Sequence, residues 1–406
     1  MTDLDLFAVL DRATDGIDPA TSPQHAAVSA LARARVVRNR RRGLVAGAVA
    51  AVAVVAVVLA VGVRGVDRSA PPITPPHPVP EMSDSAVQKT WDPRTATQLP
   101  PRDSVLPATM EPPADAGALP LAGPAVVALS DSGNRLALLG ADGTWAAMKA
   151  PSGSSYVTSL SDDGTMLANV GPRGVFVTDV RDGNWRRLDL PPGGPLWTGL
   201  GTTLAWRGDT QLLVRGATAS IGVLDVNGND RPALRPTRLA STSGLATTPD
   251  GTALVFGTGR DGSVITEVGD GGPTRTFDAG AMERLSLPVV SADRLVGTVS
   301  GIPRDDRPTD HAGVIVLDRS GYAAQAYLPI AGTRYEPGVG IAGFGVYGVS
   351  PLAWLDDSTV LLEHAPTFGR PWQLVAWDVD TGELSLVSTG TSRVQPVGVA
   401  QALVHA

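Results

Sequence analysis

One pattern recurs along most of the chain: a short apolar strand, a turn rich in Asp and Gly, and a second apolar strand. Asp and Gly tolerate the backbone angles that tight hairpin turns require, so each copy predicts a β-hairpin. Six full copies are followed by one shorter copy at the end of the chain. The copies occupy residues 126–140, 157–171, 202–216, 244–259, 287–301, 351–364 and 396–406.

The spacing of the copies indicates the architecture. Successive equivalent leucines are 31, 45, 42, 41, 66 and 42 residues apart, and a four-stranded propeller blade repeats at about 42 residues. Several units add a third and a fourth strand, as at 174–180 and 185–191. The pattern therefore predicts an all-β propeller, because a β-sandwich has no reason to repeat at this length. The leucines are Leu136, Leu167, Leu212, Leu254, Leu295, Leu361 and Leu403.

The ends of the chain are expected to close the ring. The final copy contains only two predicted strands, which would leave an open sheet edge. We expect the segments 103–113 and 119–124 to complete that blade. Counting this shared blade predicts seven blades, or six if the short first interval marks an incomplete blade that merges with the closing one.

An apolar run precedes the repeats. Residues 44–63 contain no charged side chain, and twenty residues suffice for a helix to cross a bilayer. Six arginines lie between 33 and 42, whereas only Arg64 and Arg68 follow closely. The positive-inside rule predicts a cytoplasmic N-terminus and an extracytoplasmic propeller in the cell membrane. A cleaved signal peptide is the alternative, but 43 residues before the run are too many for an ordinary signal.

These observations predict four regions. Residues 1–43 form a short cytoplasmic head, 44–63 the transmembrane helix, 64–102 a Pro-rich extracytoplasmic stalk and 103–406 the propeller. The stalk contains six prolines between residues 71 and 80, a composition that favours extended polyproline II.

The turn sequences resemble those of two propeller groups. Ser161-Asp162-Asp163-Gly164 and Thr248-Pro249-Asp250-Gly251 are similar to the turns of WD-repeat-like and TolB-type β-propellers. The resemblance covers residues 126–404 and implies a propeller fold, but it assigns no activity. The membrane layout resembles that of actinobacterial single-pass proteins, some of which are anti-sigma regulators. Their zinc-type head uses a His and Cys pair, and this chain has no cysteine.

Composition excludes several functions. Without cysteine there is no disulfide, thiolate nucleophile or Cys-based metal site, and the five histidines are too scattered to form a metal motif. The chain has a net charge of −7, and the region after residue 68 is the acidic part, with 24 basic and 34 acidic side chains, which argues against nucleic acid as a partner. No catalytic residue, metal site or cofactor is predicted.

Two insertions in the widest interval hold the candidate binding residues. The first insertion, residues 301–313, contains three carboxylates and a histidine; these groups could bind a ligand or a metal, or simply form a solvated hairpin loop. The second insertion, residues 332–348, is rich in Gly and aromatic residues, and is equally consistent with a contact surface and a plain long loop. The candidates are Asp305, Asp306, Asp310, His311, Tyr335, Phe344 and Tyr347.

Other chemistry-bearing residues are expected to be structural. Glu363 and His364 are neighbours on a predicted strand, so their side chains should face opposite ways and form no dyad. The tryptophans within the repeats are expected to pack between blades. They are Trp145, Trp185, Trp206, Trp354 and Trp377.

Three functions follow from this reading. The favoured one is a non-enzymatic binding, scaffold or sensing module, anchored in the bilayer through residues 44–63, with a protein, peptide or glycan ligand. The first alternative is an anti-sigma-like regulator whose head binds a transcription factor. The second is a propeller hydrolase or lyase that uses Asp305, Asp306 and His311.

Overall fold

The structure, a computed structural model, describes a large part of the chain after residue 76, and the account below is confined to that part. Its described strands form six sheets that surround a common axis as the blades of a β-propeller. No helix in the described part is both long and apolar enough to span a bilayer. The predicted head and anchor lie outside it. The described residues are 77–78, 82–131, 135–151, 157–171, 174–188, 204–215, 220–227, 233–236, 242–258, 263–269, 272–278, 285–299, 312–331, 348–365 and 371–405.

The first described segment runs along the outer edges of the blades. It contains three two-residue strands and two 3-10 helices, at Asp84–Ala86 and Pro93–Gln98. Each strand pairs in parallel with the outermost strand of a blade. Isolated bridges join Val87, Trp91 and Pro101 to three further positions on blades five and six, namely Tyr327, Ile330 and Leu386. The three strands are β1 (His77–Pro78), β2 (Thr109–Met110) and β3 (Gly117–Ala118).

Part of the predicted stalk therefore belongs to the propeller. Residues 87–102, here called the strap, cross from the outer edge of blade five to that of blade six. Proline-rich sequence suits this position, because an edge strand needs fewer backbone donors than a central one. The sequence pattern could not show this contact, because the strap has no apolar periodicity of its own.

Blade one is built from both ends of the propeller. Its innermost strand is the last strand of the chain, β27, which pairs antiparallel with β4. The other three come from the beginning of the repeats, so the ring is closed by one C-terminal strand and three N-terminal strands. The strands are β4 (Ala125–Asp131), β5 (Arg135–Gly140), β6 (Trp145–Lys149) and β27 (Val394–Val399).

Blades two to six each follow the chain from the innermost to the outermost strand. Blade two contains β7 (Val157–Leu160), β8 (Met166–Gly171), β9 (Gly174–Asp179) and β10 (Arg186–Leu188), and blade three contains β11 (Leu204–Arg207), β12 (Gln211–Arg215), β13 (Ser220–Asp225) and β14 (Ala233–Pro236). Blade four contains β15 (Thr242–Thr247), β16 (Ala253–Thr258), β17 (Ser263–Gly269) and β18 (Gly272–Asp278). Blade five contains β19 (Ser286–Val290), β20 (Arg294–Val299), β21 (Gly313–Asp318) and β22 (Ala324–Pro329), and blade six contains β23 (Val349–Trp354), β24 (Thr359–His364), β25 (Trp372–Asp378) and β26 (Leu384–Gly390).

The prediction of seven blades was wrong, and the alternative of six is confirmed. Five of the aligned leucines lie on second strands, but Leu136 lies on β5, a third strand. Leu403 lies on the C-terminal helix α1 (Gln401–Val404) and not on a strand. The first and last copies are therefore parts of one blade. Segments 103–113 and 119–124 do not supply its missing strands, since β2 in the first segment pairs with blade six and Leu121 N–H in the second donates to Val180 O beside blade two at 3.1 Å.

The core lies between neighbouring blades. One cluster joins Val296 and Val314 of blade five to Leu362 and Trp377 of blade six. The five second-strand leucines are fully buried, and burial of such a side chain stabilises a fold by about 2 kcal/mol. The repeated leucines on second strands therefore occupy positions that pack in the core between neighbouring blades.

All five predicted tryptophans lie in or against core clusters that two neighbouring blades share. The indole nitrogen of Trp206 donates to Ser159 O at 3.2 Å, and that of Trp354 donates to Val289 O at 3.4 Å. Trp185 reaches blade one through Lys149 O, and Trp377 reaches Gln88 of the strap. Each of these hydrogen bonds uses the polar end of the indole, while the ring packs against the apolar side chains of the cluster.

Candidate functional site

All seven candidate residues of the two insertions lie outside the described residues. The strand ends that flank the insertions are described, and they can be located on the ring. Because strands alternate in direction within a blade, the turn between the second and third strands lies on the same face as the connection to the next blade. We call this the upper face; the turns between first and second strands, such as Ser161–Thr165, define the lower face.

Both insertions join strand ends on the upper face of blades five and six. The first insertion connects β20 to β21, and the second connects β22 to β23. Backbone hydrogen bonds hold these ends in place: Ile330 N–H donates to Ala312 O at 3.0 Å, and Ala365 N–H donates to Gly348 O at 2.7 Å. The attachment points of both insertions are therefore fixed on one face, in neighbouring blades.

Trp91 of the strap is inserted beside these attachment points. Its backbone N–H donates to Pro329 O at 2.9 Å, and its carbonyl accepts from Ala331 N–H at 2.7 Å. The residue is only 4% exposed and packs in the core cluster shared by blades five and six. Within the described residues its indole N–H has no hydrogen-bond partner. Burial of this unpaired donor costs free energy and partly offsets what burial of the ring contributes.

His364 forms the other half of the site, which we call the Trp91–His364 pair. The two rings meet edge to face, with centroids 6.2 Å apart and planes at 71°. His364 is buried at the upper end of β24, and its Nδ1 lies 2.9 Å from Gln373 Oε1. An amide oxygen only accepts, so Nδ1 carries the hydrogen and Nε2 keeps a free lone pair.

The electrostatics keep this imidazole neutral. Burial lowers the pKa of His364, although Gln373 and the nearby Asp92 carboxylate act in the opposite direction. Asp92 is ion-paired with Arg94 at 2.6 Å, and the hydrogen bond from Arg94 lowers the pKa of Asp92. His364 therefore presents a hydrogen-bond acceptor near neutral pH and no positive charge.

Glu363 lies on the opposite face of β24, as the strand pattern predicted. Leu361 on its own side packs against blade one, whereas Leu362 on the other side packs against blade five. No hydrogen bond reaches the Glu363 carboxyl in the described part, and burial raises its pKa to about 8. The sequence correctly excluded a Glu363–His364 dyad.

The lower end of the ring is crossed by α1. Ala402 N–H donates to Asp162 O of blade two at 2.9 Å, and Gln401 Nε2 donates to Val290 O of blade five at 3.0 Å. Blades two and five face each other in a ring of six, so adjacent residues that reach both must lie across the axis. The C-terminal helix therefore closes the face opposite the Trp91–His364 pair.

The described part of the site combines a buried apolar cluster, a neutral imidazole and fixed attachment points for two long segments. Among the described residues, no group of three His, Asp or Glu side chains could hold a metal ion. Sequence analysis missed Trp91 and Gln373; an isolated Trp in a Pro-rich segment was the signal that could have pointed to Trp91.

Comparison with solved structures finds neighbours of low sequence identity. No protein-family profile matches the chain, and no curated protein matches it. The β-propeller domain of Cps50 (Swd1) from Myceliophteria thermophila aligns with 66% of this chain and 88% of that domain, at 13% identity and a TM-score of 0.39. U3-55K aligns with 65% of this chain and 78% of its own, at 15% identity and a TM-score of 0.43. The six-bladed assignment rests on the strand topology.

Proposed function

We propose that this protein is a membrane-anchored, extracytoplasmic binding or sensing module without enzymatic activity. Residues 44–63 would hold it in the bilayer, with the N-terminus in the cytoplasm. A protein, peptide or glycan ligand would bind at the upper face of blades five and six. The uncharged run with arginines on one flank supports the anchor and its orientation.

The observation that carries the binding proposal is the shared location of the two insertions. Their described ends meet on one face around the Trp91–His364 pair. Rim loops on a rigid propeller are where such proteins carry their ligand contacts. Carboxylates from the first insertion and aromatic side chains from the second would then contact the same ligand.

Two sets of substitutions test this proposal in the full chain. The first replaces Tyr335, Phe344 and Tyr347 by Ala, and the second replaces Asp305, Asp306, Asp310 and His311 by Ala. Binding of the detergent-solubilised protein would be measured against isolated envelope glycan and the surface-protein fraction. We expect at least a tenfold loss of affinity for both sets, because hot-spot contacts are lost.

A matched control replaces exposed residues of lower-face turns, Asp182 and Glu383, by Ser. This control should bind as the unmodified protein does. Equal binding by both upper-face sets and the control would contradict the proposed site. Chemical conversion of a bound molecule would contradict the non-enzymatic assignment.

A further inference from the structure

The strap is attached to the ring in a different way from the blade strands. Strand β25 is paired along its whole length with a neighbour on each side. The strap instead makes separate contacts: Gln88 N–H donates to Tyr327 O at 2.9 Å, and Arg102 N–H donates to Leu386 O at 2.8 Å. Segments held by few hydrogen bonds open locally at a lower free-energy cost than continuous ladders.

Several side chains attach the strap to the ring: Ala96 is buried in the same cluster as Trp91, and Arg102 pairs with Asp356 at 3.0 Å. Gln88 accepts from the indole nitrogen of Trp377 at 2.6 Å and donates to Val379 O at 2.7 Å, which ties it to blade six. Trp91 makes the larger apolar contact, because its ring is buried against blades five and six.

Two effects act on the buried position of Trp91 in opposite directions. Burial of its ring favours the seated position, whereas its unpaired indole N–H would regain a hydrogen bond to water on release. The residue also lies beside the strand ends of the second insertion, through Pro329 and Ala331. The backbone of Trp91 is therefore hydrogen-bonded directly to the strand end from which the second insertion begins.

We propose that the strap detaches from blades five and six by local opening while the six blades stay folded. The buried side chain of Trp91, beside the upper-face site, is the contact that controls this opening. The chain first meets the ring before the strap, because β1 pairs with the outermost strand of blade four. Release of the strap would therefore lengthen the part of the chain that is unattached between β1 on blade four and β2 on blade six. The functional meaning of this release rests on the proposed function, but strap release itself does not require a ligand.

Hydrogen exchange at individual backbone amides tests the proposal in the full chain in detergent micelles. We expect the amides of Gln88, Trp91 and Arg102 to exchange at least tenfold faster than those of β25. Trp91→Ala should accelerate the strap amides a further tenfold and leave β25 unchanged. Trp185→Ala, which removes an indole from blade two, is the matched control and should leave strap exchange unchanged.

A tether provides a second measurement that does not depend on Trp91. The chain has no cysteine, so Pro101→Cys with Leu386→Cys creates a single pair at an existing bridge between strap and blade six. Oxidation should slow strap exchange, and reduction should restore it. Strap amides that exchange as slowly as β25 and only with global unfolding would overturn this inference, yet would leave the proposed binding site standing.

Discussion

The indole nitrogen of Trp372 donates to Val394 O at 2.5 Å. This hydrogen bond joins the third strand of blade six to the C-terminal strand that completes blade one. Gly390 makes the contact possible, because a Cβ atom at that position would overlap the Trp372 ring. Ring closure therefore depends on a glycine that the hairpin repeat did not single out.

Gly390→Ala tests the closure. We expect a loss of about 3 kcal/mol in the free energy of unfolding, because neither the ring nor the backbone can move away cheaply. Chemical denaturation followed by tryptophan fluorescence measures it. Gly123→Ala is the control, since a Cβ there would meet no atom within 4 Å and should cost less than about 0.5 kcal/mol. Equal stability of the two variants would contradict this account.

Glu363 predicts an unusual dependence of stability on pH. Its pKa rises from an ordinary 4.5 to about 8 on folding, so between these values the folded state holds a proton that the unfolded state releases. Stability should therefore fall as pH rises through this window. Glu363→Gln should increase stability at pH 8, by at most about 5 kcal/mol, and change it little at pH 4.5. Melting temperatures measured across this pH range test the assignment, with the exposed Glu383→Gln as control. Equal pH dependence of the two variants would contradict the raised pKa of Glu363.

A hydrogen bond between blades four and five predicts a measurable coupling. The buried Tyr322 hydroxyl donates to Glu267 Oε1 at 2.9 Å, and Arg275 pairs with the same carboxylate at 2.8 Å. Burial opposes ionisation of Glu267, but hydrogen bonds from Arg275 and Tyr322 outweigh it and lower its pKa. Tyr322→Phe should cost about 1–2 kcal/mol. A double-mutant cycle with Glu267→Gln should give a coupling of about 1 kcal/mol, whereas strict additivity would show that the bond contributes nothing.

The absence of cysteine makes membrane orientation testable with single labels. Ser83→Cys places a unique thiol at an exposed position of the propeller, and Thr2→Cys places one in the predicted head. We expect a membrane-impermeant maleimide to label Ser83→Cys on intact cells and Thr2→Cys only after permeabilisation. The reverse pattern would contradict the proposed orientation.

The repeat predicted the blades well because its signal is local. Leu167, Leu212, Leu254, Leu295 and Leu361 all lie on second strands and are fully buried. The blade count was less certain, because Leu136 and Leu403 match the pattern but occupy a third strand and a helix. Pairing between β27 and β4 joins residues more than 260 positions apart. The hydropathy pattern along the chain does not predict which distant strands pair.

Sequence alone determined the all-β repeat, the apolar run before it and the separation of Glu363 from His364, because each follows from the periodicity of neighbouring residues. Tertiary structure decided that there are six blades, that residues 87–102 belong to the propeller, and that Trp91 meets His364. These three depend on contacts between segments far apart in the chain. Such contacts are selected by packing and by the satisfaction of edge hydrogen bonds, which no local pattern encodes.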